Sequence, residues 1–139
     1  MGLIAENLWV IGRRARRRVS ALFDTGSSDS LIRADLAGEI GHPDELPEPK
    51  KYRAAVGSFV VRTSVVADVL LAGKRFTALF FVVPGLTEEL VLGADFMQRW
   101  HLRLEPRRRR VILDPKALQL KAVWSARRAP RGRYSPRPS

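Results

Sequence analysis

Ala21-Leu22-Phe23-Asp24-Thr25-Gly26-Ser27-Ser28 puts a carboxylate at the end of an apolar run, followed by a small hydroxyl residue, a glycine and two serines. Val19, Ala21, Leu22 and Phe23 deliver Asp24 to a turn, where Gly26 permits backbone geometry or a close approach that a Cβ obstructs. Taken alone, the segment is an ordinary Asx turn after a strand, because Asp, Gly and Ser are common turn residues. A second segment changes its weight. In Leu90-Val91-Leu92-Gly93-Ala94-Asp95-Phe96 an apolar triplet runs into glycine and then a short helical stretch.

Outward from the Asp24 turn, most of the chain reads as strands. Leu3 to Ile11 and Arg16 to Phe23 flank Gly12-Arg13-Arg14-Ala15 and predict a hairpin feeding the turn. A short helix is expected from about Arg33 to Ile40, closed by Gly41 and Pro43. Asp44 to Lys51, with Pro47 and Pro49 among charged residues, reads as a loop. Val60 to Leu71 and Phe76 to Val83 are β-branched or aromatic runs joined by Ala72-Gly73-Lys74-Arg75, a hairpin pattern. Phe96, Met97 and Trp100 recur at helical spacing and are expected in the core, and Leu102 to Leu113 reads as a terminal hairpin.

Composition bounds the function. The 139 residues suit one domain, and 45% hydrophobic content is enough for a core. Cysteine is absent, and His42 and His101 are far apart in sequence, so neither a disulfide framework nor a metal site is expected. No apolar run approaches the ~20 residues of a membrane span, no signal peptide is recognisable and Glu6 spoils a myristoylation motif. The expectation is a cytoplasmic protein without membrane partners.

The net charge of +11 is the outlier. Six basic residues and no acidic one lie from Lys121 onward, so much of the excess belongs to residues 121–139, a basic tail expected to be disordered. Arginines also cluster at Arg13 to Arg18 and Arg107 to Arg110. Nucleic-acid binding through the tail is one reading of this charge. The favoured one is solvated hairpin loops and a solubilising tail, because aromatics are not interleaved with the arginines apart from Tyr134.

Together, the Asp24 and Gly93 segments resemble those of the retroviral-type aspartic proteases, the half-sized relatives of pepsin. Leu22-Phe23-Asp24-Thr25-Gly26-Ser27-Ser28 matches the acid-Thr-Gly turn of that family, and Val91-Leu92-Gly93 with Ala94-Asp95-Phe96-Met97 matches its apolar-apolar-Gly segment. The resemblance covers roughly Leu3 to Leu113. It implies an all-β, retropepsin-like closed β-barrel or sandwich with a short C-terminal helix, in a domain of residues 1–120. It also implies an aspartic endopeptidase with Asp24 as the catalytic residue, no cofactor, and a polypeptide substrate. Thr25 is then expected to brace two active-site loops across a dimer axis, Gly26 to offer its carbonyl to substrate, and Leu92 and Gly93 to support the loop. Ala55, Val56 and Gly57 fall at the family's flap. Ser27 stands where retroviral enzymes commonly have alanine, and its hydroxyl is expected to donate to Asp24. Ala94 replaces a retroviral arginine, so any ion pair made by that arginine is missing.

Peptide hydrolysis by this route needs two carboxylates, one ionised to take a proton from water and one protonated to polarise the carbonyl. The chain holds one acid-Thr-Gly turn. A homodimer sharing its two Asp24 side chains is the expected solution, with the apolar runs Leu8 to Ile11 and Val111 to Leu113 as edges for pairing. The alternatives are an inactive relative serving dimerisation or peptide binding, and a basic nucleic-acid-associated protein. An aspartyl-nucleophile phosphatase is weaker, since Gly26 occupies the position of the usual second aspartate.

Overall fold

Successive side chains of a strand point to opposite faces, and along the first hairpin burial follows that period of two, one face lying on a core. In the computed structural model, which describes residues 2–54 and 57–114, the hairpin is β1 (Leu3–Ile11) and β2 (Arg16–Asp24), with Leu3 opposite Asp24 and Ile11 opposite Arg16. Ile4, Leu8, Val10, Val19, Ala21 and Phe23 are buried. At the connecting turn the Arg14 and Ala15 amides donate to the Ile40 carbonyl, at 2.8 and 3.3 Å. A Cβ on Gly12 would sit 2.1 Å from that same oxygen, so only glycine lets the turn dock there.

The remaining elements are β3 (Leu31–Arg33), α1 (Ala34–Ile40), β4 (Asp44–Ala54), β5 (Gly57–Leu71), β6 (Lys74–Val83), β7 (Leu90–Leu92), α2 (Ala94–Arg99), β8 (Leu102–Glu105) and β9 (Arg110–Leu113). Strand order is β1-β2-β7-β3-β6-β5, and a further pairing of β5 with β1 closes these six into a barrel. β4 extends the sheet beyond β5, and β8 and β9 form a separate two-stranded sheet. The β7 triplet is buried throughout, which explains its unbroken apolar sequence. On α2, Phe96 and Met97 are buried as expected, and Phe96 and Trp100 both meet the Phe76 ring edge-on, at 6.4 and 5.2 Å.

Two expectations are corrected. Asp44 to Lys51 is part of a strand: its pairing with β5 shifts register between Glu45 and Lys50, and this irregularity accommodates Pro47 and Pro49, which have no N–H to give a ladder. The helix expected from about Arg33 stands, spanning Ala34–Ile40 with Arg33 as its N-cap and Gly41 as its C-cap, and it is preceded by β3, too short for a recognisable period. Leu8 to Ile11 offers no free edge, because β1 pairs with β2 on one side and Trp9, Val10 and Ile11 pair with Leu70, Val69 and Asp68 on the other. The terminal hairpin stands as expected, and β9 pairs with β8 alone among the described residues. The tail at 121–139 lies outside the described residues. No helix of the described chain is long and apolar enough to cross a membrane.

Candidate active site

Asp24 is the last residue of β2 and is half-buried. The parallel pairing of Ala21, Leu22 and Phe23 with Leu90, Val91 and Leu92 fixes the strand that carries it. Beyond it the chain turns back: the Gly26 amide donates to Asp24 Oδ1 at 2.8 Å and the Ser27 amide to the Asp24 carbonyl at 3.2 Å. Thr25 is exposed and tied to the start of the chain, its Oγ1 accepting the Gly2 amide at 2.8 Å and its own amide donating to the Gly2 carbonyl at 3.2 Å.

The far side of the loop is held by α2. A helix start leaves its first amides without helical partners, and here those of Ala94 and Asp95 donate to the carbonyls of Ser27 and Ser28, at 2.7 and 3.2 Å. Ser27 donates its hydroxyl to the Asp29 carbonyl at 2.7 Å, so its single proton is engaged there and the expected bond to Asp24 is not made. Ser27 therefore braces the loop internally.

Sequence reading passed over Ser30. Fully buried, it donates Oγ–H to Asp95 Oδ1 at 2.8 Å and accepts the Gly93 amide at 3.0 Å, while its own amide reaches Asp95 Oδ2 at 3.3 Å. One hydroxyl thus links the Asp24 loop to the Gly93 segment. The signal was Ser30 and Asp95 flanking the two motifs, but nothing in the sequence pairs them. Ser30→Ala strands the Gly93 amide and is expected to cost about 2 kcal/mol, read from the urea midpoint at unchanged slope.

Asp29 ends the loop, and its Oδ2 accepts Tyr52 Oη–H at 2.5 Å and Lys50 Nζ at 3.1 Å, both from β4. The Tyr52 ring stacks on Phe59 with centroids 5.4 Å apart, and Lys50 Nζ lies 4.7 Å from the Phe81 centroid. Burial, and then the Asp29 carboxylate, push the Tyr52 hydroxyl well above its ordinary value of 10.0. Tyr52 is thus a donor at every physiological pH. A raised folded value stabilises the protein below the unfolded value of about 10, and this contribution is lost as pH rises above it. Stability measured by chemical denaturation should therefore fall less steeply above pH 10 in Tyr52→Phe than in the parent.

Asp24, Gly26, Ser27, Tyr52, Phe59 and Leu86 contribute to the walls of an open cleft of about 850 Å³, rimmed by Val83 to Thr87. Of the expected flap residues, Ala55 and Val56 lie outside the described residues, and Gly57 starts β5 opposite Ala54 at the end of the β4–β5 hairpin. Leu92 pairs with Phe23, and Gly93 packs against the backbone of the Asp24 loop. A Cβ on Gly93 would meet the Asp29 and Ser27 carbonyl oxygens at 2.4 and 2.6 Å. Among the described residues no cluster of three His, Cys, Asp or Glu side chains could hold a metal.

A six-stranded barrel with a short helix after its β7 triplet is the retropepsin-like fold. The model of the family described as "gag-polyprotein putative aspartyl protease" matches residues 12–99, well over half of the chain, and the chain belongs to that family. In three dimensions it is similar to the retroviral protease-like domain of Ddi1 from Leishmania major, with a TM-score of 0.61 and 18% identity over 82% of this chain and 90% of that one. It is also similar to the EIAV protease complexed with the inhibitor HBY-793, with a TM-score of 0.55 and 15% identity over 75% of this chain and 93% of that one. At such identities the likeness concerns the fold. No curated protein matches the chain in sequence.

Proposed function

We propose that the protein is an aspartic endopeptidase whose active unit is a homodimer, each copy contributing Asp24. The observation that carries this reading is the placement of Asp24 at an open cleft, on a turn that α2, β7 and Ser30 hold from below, in a chain of this family. One copy's Asp24 is ionised and takes a proton from water; the other's is protonated and donates to the scissile carbonyl. Two carboxylates this close cannot both ionise easily, so they share one proton. Water adds to the carbonyl carbon, and collapse of the tetrahedral intermediate expels the amine, which takes up a proton, with no covalent enzyme intermediate.

The dimer face in this reading gathers exposed Thr25, Leu3, which is 55% exposed, and the outer edge of β9. Thr25 braces its counterpart across the axis, Gly26 presents its carbonyl to substrate and the β4–β5 hairpin closes over bound polypeptide. The test is hydrolysis of a denatured protein by the full chain and by its Asp24→Asn form. Failure of the parent chain to cleave, when shown to be dimeric, would leave the fold to a binding role.

A further inference from the structure

We infer that the outer face of the β1–β2 hairpin binds single-stranded nucleic acid, with Trp9 as the stacking platform and Arg13, Arg16 and Arg18 as the cations that meet phosphate. The sheet supplies what the linear sequence hides. Trp9 lies opposite Arg18 on β2 and Leu70 on β5, and Leu70 lies opposite Arg75 on β6, so one row reads Arg18, Trp9, Leu70, Arg75 across four strands. The aromatic missing between the arginines is thus delivered from the neighbouring strand. Trp9 is 37% exposed, and the Arg16 guanidinium lies 5.3 Å from its ring centroid.

Charge and rigidity both favour this partner. Arg17 pairs with Glu39, Arg14 reaches the Gly38 carbonyl, and Arg75 neutralises Asp68 at 2.9 Å. Among the described residues no carboxylate lies within ion-pair distance of Arg13, Arg16 or Arg18, so their charge is available to phosphates, with counterion release as the driving term. The turn that presents them is pinned to the Ile40 carbonyl, which lowers the ordering cost on binding. A base face is accessible to Trp9 only in an unpaired strand. The connecting turn, Gly12-Arg13-Arg14-Ala15, has no apolar wedge to insert into a lipid surface. Asp24 and Arg16 occupy opposite ends of β2, about 26 Å apart at 3.3 Å per residue, so the cleft stays open while this face is covered.

The test is fluorescence anisotropy of labelled oligo(dT) with the full chain across a salt series. Trp9→Leu is expected to weaken binding roughly tenfold, Trp9→Phe to retain most of it, and Arg16→Gln with Arg18→Gln to lower the salt slope by about 1.4. Arg127→Gln with Arg128→Gln in the tail provides the comparison. If the hairpin variants bind as the parent does, or if Trp9 affects binding to phosphatidylserine vesicles but not to oligonucleotide, the inference is overturned. Far-UV circular dichroism checks that each variant is folded, and the Phe and Leu pair separates the ring from mere apolar bulk.

Discussion

Asp24→Asn is expected to reduce hydrolysis of a denatured polypeptide to background, a fall of roughly 10⁴-fold in kcat/KM, while the protein stays folded. Asparagine keeps an oxygen for the Gly26 amide, which donates to Oδ1 at 2.8 Å, so the turn retains its bond. The β2–β7 pairing and the α2 amides that bear on the loop do not involve this side chain. The amide N–H is far too weak an acid to give up its proton, and the amide has no basicity with which to accept one from water. Stability is expected to change by less than about 1 kcal/mol, measured by calorimetry on the two forms. Full turnover by Asp24→Asn would assign the chemistry elsewhere.

Gly93→Ala is expected to lose about 3 kcal/mol, seen as a fall of roughly 10 °C in Tm, together with most of the activity. Backbone conformation is not the reason, since Gly93 has an extended φ of −92° open to any residue. The reason is space. Its missing Cβ lies 2.4 Å from the Asp29 carbonyl oxygen and 2.6 Å from that of Ser27, and both belong to the loop backbone and have no rotamer by which to retreat. Accommodating a methyl group displaces the loop from α2, lengthening the 2.7 Å bond from the Ala94 amide to Ser27. A variant as stable and active as the parent would show that the Gly93 segment does not set the position of Asp24.

The barrel was legible where its strands are long. β1, β2, β5 and β6 stand out as stretches rich in apolar, β-branched or aromatic residues, and the β7 triplet announced itself by being wholly apolar. β3 and the first half of β4 were not, for different reasons: three residues show no period, and Pro47 and Pro49 signal a loop even where a register shift lets the strand continue. The Asp24 and Gly93 segments were readable because each is a contiguous pattern, an apolar run that ends at an acid-Thr-Gly turn or at a glycine. Ser30 with Asp95, and Asp29 with Lys50 and Tyr52, are joined across 65 and about 20 positions by the closed sheet, and no local pattern records such pairs. Ser27 illustrates the remaining difficulty. Its position near Asp24 was evident, but the direction of its hydroxyl depended on the Asp29 carbonyl turning toward it.

The central claim is that two copies of Asp24 form one site, and mixing parent chains with Asp24→Asn chains under subunit exchange tests it most directly. With random exchange at fixed total concentration, a site needing both carboxylates gives activity proportional to the square of the parent fraction, so an equal mixture retains a quarter of the parent activity. Activity that falls linearly, with half remaining in the equal mixture after demonstrated exchange, would mean that each Asp24 works alone and would contradict the account.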